Sequence, residues 1–183
     1  EIGIKSRTSQ GNIVTKYPVR KITQVSVGQS SLGKMQVYYD ETTGKLNTDN
    51  RGRLLGGFDT GIKILALYKD GSYEIAEMDL TKKYDPNQLE DITKYHDGMV
   101  INAVYFESQK AWTMVKRFNI ETSTLNQKFT FIPEDGSSKL YFATTHKESQ
   151  VVVTYKEGKE KYEMEVDIDN FVDIKGWKAL GNK

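Results

Sequence analysis

The sequence predicts an all-β chain of repeated, propeller-like blades, on two observations. Strand signals joined by turn signals run along most of the 183 residues, and the strand pairs recur at a near-constant interval. The first pair is Ile62–Tyr68 and Ser72–Met78, with alternating apolar residues on either side of an Asp70-Gly71 turn. A second pair covers Met99–Phe106 and Ala111–Phe118, broken near Glu107–Lys110. A third covers Lys139–Thr145 and Gln150–Tyr155, broken at His146–Ser149. These starts lie about 37 to 40 residues apart, the length of a four-stranded blade in a radial array that leaves only short sheet edges. With an N-terminal strand pair, the pattern gives about four blades. One short polar segment, Asp85–Ile92, reads as a helix.

Composition narrows the chemistry. The chain has no Cys and two His, which removes Cys-based zinc and redox sites and leaves little for a His-based metal site. No apolar run is long enough to cross a bilayer, and EIGIKSRTSQ lacks the basic-then-apolar layout of a signal peptide. A soluble, cytoplasmic protein is expected. The absence of an initiator Met and the ending KGWKALGNK, which stops inside a motif, suggest a piece of a longer chain, read here as one domain over residues 1–183.

Net charge is only +1, but it is unevenly placed. Residues 1–60 hold nine Lys or Arg against five Asp or Glu, and the later thirds are slightly acidic. Lys5, Arg7, Lys16, Arg20, Lys21 and Lys34 stand in a stretch whose one acid is Glu1. Such a one-sided cluster attracts phosphates. Any single base among them reads equally well as a solvated surface charge.

Two short motifs recur. Gly11–Ile22, GNIVTKYPVRKI, matches Met114–Ile120 as an apolar strand ending in a basic and then an aromatic residue; Lys16-Tyr17 stands where Arg117-Phe118 does, and both aromatics are expected in the core. Gly28-x-x-x-x-Gly33-Lys34 resembles a P-loop, yet Met35 replaces the hydroxyl residue that would hold Mg²⁺, and Gln36–Asp40 reads as a strand where a P-loop requires a helix. The same glycine interval returns at Gly176–Gly181, with Lys178 and Lys183 close by, and more loosely at Gly52–Gly57. A repeated blade loop accounts for this better than a nucleotide site. Acid pairs such as Glu90-Asp91 and Asp167/Asp169 lack a catalytic partner and read as solvated faces.

In GNIVTKYPVRKI, in the hairpin ILALYKDGSYEI and in the ending VDIKGWKALGNK, the chain resembles the C-terminal region of the A subunit of bacterial topoisomerase IV, a relative of the DNA gyrase A subunit. That resemblance implies a β-pinwheel, a disc of four-stranded blades that exchange a strand with their neighbours, with duplex DNA bent around a basic rim. It further implies a non-catalytic domain of an ATP-dependent type IIA topoisomerase, an isomerase of the bacterial nucleoid. The partners implied are duplex DNA bound without strong sequence preference, the rest of the A subunit, and an ATPase B subunit in an A2B2 enzyme. No cofactor is expected in this domain; ATP and Mg²⁺ belong to other parts of the parent.

The candidate DNA contacts are Lys5, Arg7, Lys16, Arg20, Lys21, Lys34, Arg51, Arg53, Lys116, Arg117 and Lys178. The loop that closes the ring in gyrase-type members is matched here by Gly28, Gly33 and Lys34, and by Gly176, Lys178, Gly181 and Lys183. Neither copy has the double Arg of that loop, so relaxation and decatenation by the parent are expected rather than chiral wrapping. The competing expectation is a propeller-like protein-interaction module without DNA binding.

Overall fold

The structure, a computed structural model, describes residues 13–23, 34–147 and 149–178. The chain divides into two compact units, Glu1–Leu32 and Gly33–Lys183. In the first, Ile13–Thr23 holds neither helix nor strand, so the strand expected there is absent from the described part. Tyr17 is 82% exposed whereas Phe118, its presumed equivalent, is fully buried. The likeness of the two motifs is one of sequence alone: Phe118 is buried in a sheet, and Tyr17 is exposed on a stretch that holds no strand among the described residues.

The described part of the second unit is almost wholly β. Its strands are β1 (Met35–Asp40), β2 (Lys45–Asn47), β3 (Arg53–Phe58), β4 (Lys63–Tyr68), β5 (Ser72–Glu77), β6 (Leu89–Lys94), β7 (Val100–Glu107), β8 (Trp112–Asn119), β9 (Lys128–Thr130), β10 (Lys139–Thr144), β11 (Gln150–Glu157) and β12 (Glu160–Asp167). They form four antiparallel sheets, ordered β2-β1-β3, β6-β4-β5-β9, β10-β7-β8 and β11-β12. The all-β expectation holds, and four small antiparallel sheets fit a β-pinwheel.

One rule generates these sheets. Each repeat begins with a hairpin, β1-β2, β4-β5, β7-β8 or β11-β12. The chain then crosses to the previous sheet and pairs with the free edge of that sheet's second hairpin strand. Lys83, after β5, bridges Lys45 on β2; β9, after β8, pairs with β5; Lys175, after β12, bridges Phe118 on β8. In the first three repeats the sheet is completed on the other side by β3, β6 or β10, paired with β1, β4 or β7. This crossing is the strand exchange that the resemblance implies.

The last strand of each three-part set carries a bulge at the same place. Registers shift between Val37 and Tyr38, between Leu67 and Tyr68, and opposite Leu140–Phe142, so Leu55, Glu90 and Tyr141 each stand as an extra residue. In β3 the residue after the bulge is Gly56 at φ 112°, a conformation that suits glycine. The Leu-Gly step of the Gly52–Gly57 motif is therefore a bulge rather than a loop.

Two expectations are corrected. Asp85–Ile92 is not a helix: the Asp85 carbonyl accepts from Gln88 and Leu89 in one turn, and Leu89 then enters β6 opposite Tyr68. Burial of Leu89 and Ile92 against the first and second sheets overrides the polar local signal. The helical turn, α1, is instead Ile168–Phe171, capped by the Asp167 carboxylate. The third hairpin is also misassigned, because β10 pairs with β7 and β11 pairs with β12 through the Glu157–Glu160 turn.

Three clusters lie between successive sheets. Val37, Tyr39, Ile64, Ala66 and Tyr84 fill the first; Leu65, Tyr73, Ile75, Ile101, Tyr105 and Phe118 the second; Val104, Val115, Val166 and Ile168 the third. The middle two sheets are thus apolar on both faces. On β11–β12 the face opposite the third cluster carries Thr154, Lys156, Lys161, Glu163 and Glu165 around one apolar residue, Val152, all exposed. A polar outer face is what a terminal repeat requires in a stack where each unit buries only what it shares with its neighbour.

Candidate nucleic-acid interface

The strands β3, β6 and β10 touch from sheet to sheet. They therefore line the middle of the array, and the exchanged edges on the far side of each sheet face outward. The basic residues sort by these two positions.

Arg53, on β3, is half-exposed, and its guanidinium crosses to β6, donating to Asp91 Oδ1 at 2.7 Å and to the Ile92 carbonyl at 3.0 Å. Lys94 returns from β6, its Nζ donating to the Gly57 carbonyl at 2.6 Å. These two cations hold β3 and β6 together. Arg117, on β8, does the same for the third sheet and the segment after β12. It donates from Nε to Asn102 Oδ1 at 3.0 Å and from one terminal nitrogen to the Asp169 and Val172 carbonyls, and its other terminal nitrogen pairs with the Asp169 carboxylate at 2.6 Å. Its donors are turned into the fold.

Lys116 is 3% exposed. Its Nζ donates to the Phe131 carbonyl at 2.7 Å and to the Trp177 carbonyl at 2.5 Å, and lies over the Phe118 ring. Burial pushes its pKa down to about 8. A residue so enclosed cannot meet a phosphate on a rim, so Lys116 leaves the list of DNA contacts for a physical reason: its partners are carbonyls from two other segments.

The remaining candidates are scattered. Lys16, Arg20 and Lys21 lie on the irregular stretch of the first unit. Lys34 is exposed just before β1, its stem against Gly57, where a Cβ would come within 2.8 Å of it. Arg51 is exposed and pairs with Asp49 at 3.2 Å. Lys178 is exposed beside Trp177. Lys5, Arg7, Gly28, Gly33, Gly181 and Lys183 lie outside the described residues; Gly176 lies within them, in the last exchanged segment. The second unit places Lys34 directly before a strand, as the rejection of a P-loop requires.

A second set of bases, Lys178 apart, was missed in the sequence. Each outward edge carries exposed lysines: Lys45 and Lys83 on the first, Lys128 on the second, Lys175 and Lys178 on the third. The reason is local. Each exchanged segment is pinned by an aromatic residue beside a Lys. Tyr84 is buried between the first two sheets, Phe129 packs on the next cluster, and Trp177 packs there too, edge-on to Phe129 with centroids 6.3 Å apart. Alternation along an extended chain then turns Lys83 and Lys128 outward beside Tyr84 and Phe129, whereas Lys175, two residues before Trp177, is exposed without that alternation. The readable signal was Lys83-Tyr84, Lys128-Phe129 and Lys175-Gly176-Trp177. Lys128 also lies over the Tyr68 ring at 3.6 Å and 3.8 Å from Asp70.

Nothing else in the described residues resembles an active site. No group of three or more His, Cys, Asp or Glu among them is placed to hold a metal ion, and none of their helices is long and apolar enough to cross a membrane. Several turn carboxylates are held below their usual range by backbone amides and hydroxyls, Asp135 most of all through Ser138, Ser108 and Ser137. Asp40 and Asp79 follow the same pattern, capping Thr42 and Thr81. These are turn caps.

The family model described as topoisomerase C-terminal domain, Bacteroidota, matches residues 45–183, from β2 onward. No curated protein and no solved structure matches the chain. The match takes in every described strand but β1, together with all three exchanged edges, and the chain belongs to the Bacteroidota family of topoisomerase C-terminal domains.

Proposed function

We propose that this domain binds and bends duplex DNA along its outward, exchanged edges, and so positions a duplex for strand passage by the parent topoisomerase. The observation that supports this most is the recurrence of exposed lysines on all three edges, each edge held by an aromatic residue packed on a core cluster. Lysines spaced along a row of sheet edges suit a repeating phosphate backbone and carry no base information. Bending a 20–30 bp site costs on the order of 1–6 kcal/mol, so several edges must act together.

The parent is read as a type IIA, ATP-dependent enzyme of the topoisomerase IV kind. Its A subunit carries this domain, its B subunit supplies ATP and Mg²⁺ chemistry, and the two form A2B2 in the cytoplasm on the nucleoid. The domain has no catalytic role of its own. Without the double Arg of the gyrase loop, bending without chiral wrapping is the fitting activity.

The test is a charge-removing quadruple variant, Lys83→Gln, Lys128→Gln, Lys175→Gln and Lys178→Gln, compared with a control changed to Gln at Lys69, Lys110, Lys156 and Lys159 in or beside the hairpin turns. The edge variant should lose about 0.9 from the log–log salt slope for each phosphate contact removed, while the control keeps its slope. Equal loss in both variants would refute an edge-borne interface.

A further inference from the structure

Both histidines of the chain line one cavity of about 500 Å³ at one end of the third sheet. They occupy equivalent places in successive repeats. β6 ends at Lys94 and β10 at Thr144, and His96 and His146 each stand two residues beyond, in the crossovers to β7 and β11. The repeat rule brings these crossovers to the same end of the array, one on each side of the β7–β8 hairpin. Lys147, Arg117, Asp169 and Ile174 complete the relevant lining.

The backbone around both rings is fixed. The His96 amide donates to Met99 Sδ, and its Nδ1 lies 3.3 Å from the Asp97 carbonyl, which leaves Nε2 free of that contact. The His146 carbonyl accepts from Ser149 Oγ at 2.6 Å and from Asn102 Nδ2 at 3.2 Å. Among the described residues, five charged or titratable side chains belong to the lining. The β6–β7 crossover brings His96, β8 brings Arg117, the β10–β11 crossover brings His146 and Lys147, and α1 brings Asp169. The 173–178 segment adds only the apolar Ile174. Arg117 and Asp169 already neutralise each other at 2.6 Å. Among the described lining residues, Lys147 and the two imidazoles are left to set the sign, and a proton gained by an imidazole adds positive charge.

We propose that this cavity binds a phosphate group, with His96, His146 and Lys147 as its ligands. The volume lies within the range of small-ligand sites and holds a phosphate with the sugar that carries it. No group of three or more His, Cys, Asp or Glu among the described residues is placed to hold a metal ion, and the one carboxylate of the lining, Asp169, is engaged by Arg117, so the two imidazoles and Lys147 suit an anion. The position is continuous with the outward edge: Ile174 lines the cavity, and the next residue, Lys175, bridges β8. The duplex backbone is therefore one source of the phosphate and a free phosphate-bearing small molecule the other. The first form rests on the DNA-binding reading above.

The experiment uses the chain itself and the double variant His96→Gln, His146→Gln, with thermal melts to verify folding. Both histidine Cε1–H signals are followed by NMR during titration with inorganic phosphate and, separately, with a random duplex of about 40 bp. Duplex affinity is measured at pH 7.5 and 5.5. The inference expects both signals to shift, and affinity to rise about tenfold on acidification in the natural chain but not in the variant. Shifts with inorganic phosphate alone support the pocket and remove DNA as its source. Duplex binding with the same pH response in both proteins and still histidine signals overturns the pocket while leaving DNA binding intact. Failure of the natural chain to bind duplex at all overturns the DNA-binding reading instead, and the phosphate titration then decides the pocket alone.

Discussion

Replacing Lys116 by Met removes a cation that joins three segments: β8, the stretch after β9, and the last exchanged segment. The magnitude follows from the direction of its titration. Its pKa is about 8 in the fold, against 10.5 for a free lysine, and desolvation by burial is the cause. Between those two values the unfolded chain holds more protons than the folded one, so stability rises with pH across that window. The full shift amounts to about 3 kcal/mol, of which about 2 kcal/mol is gained between pH 7 and 9.5.

At pH 7 two effects oppose each other in the Met variant. Relief of the buried charge stabilises, and loss of hydrogen bonds to the Phe131 and Trp177 carbonyls costs about 1.5–3 kcal/mol each. The sign at neutral pH is thus not diagnostic, but the pH response is. Urea unfolding followed by far-UV circular dichroism at pH 7, 8.5 and 9.5 should show the natural chain gaining about 2 kcal/mol relative to Lys116→Met. Buried tyrosines such as Tyr73, pushed up to about 12 by burial, and Tyr105, raised for the same reason, occur in both proteins and cancel. A difference between the two that stays constant within about 0.5 kcal/mol across that range would refute the argument that Lys116 is a buried, desolvated cation.

The Tyr84 hydroxyl is buried without a hydrogen-bond partner among the described residues, so Tyr84→Phe should leave stability unchanged or raise it by about 1 kcal/mol in urea unfolding. Arg117→Ala removes the ion pair with Asp169 and the donors to two carbonyls, and should cost about 3 kcal/mol, read as a lower urea midpoint at unchanged m-value. Gly71 sits at φ 78°, and a Cβ there would meet the Ile132 side chain at 2.3 Å; Gly98, also at φ 78°, has open space. Gly71→Ala should therefore destabilise by at least about 1 kcal/mol more than Gly98→Ala in thermal melts.

What the sequence revealed follows from how local each cause is. The β4–β5 hairpin is legible because Asp70-Gly71 and the alternation around it lie within a dozen residues. The β7–β8 pair is legible for the same reason. The exchanged edges are not: Lys83 meets Lys45, and Lys175 meets Phe118, through single bridges between distant segments that leave no periodicity. The short turn at His146–Ser149 looks like a hairpin, yet β11 finds its partner through Gly158, at φ 63°. Charge misled in the same manner. Arg53, Lys116 and Arg117 look like surface bases until Asp91, Asp169 and the Trp177 carbonyl arrive from elsewhere in the chain. Lys83 and Lys128 were passed over because their exposure depends on where the neighbouring aromatic packs, and Lys45 and Lys175 because the single bridges that place them on an edge leave no local pattern.

The central claim is that these edges hold DNA through phosphates, and the most direct measurement is the affinity of the natural chain for a random duplex of about 40 bp across a salt series. The account predicts a straight fall of log affinity with log salt, at a slope of about −0.9 per phosphate engaged and hence of several units. A flat salt response, or no binding at low salt, would contradict it.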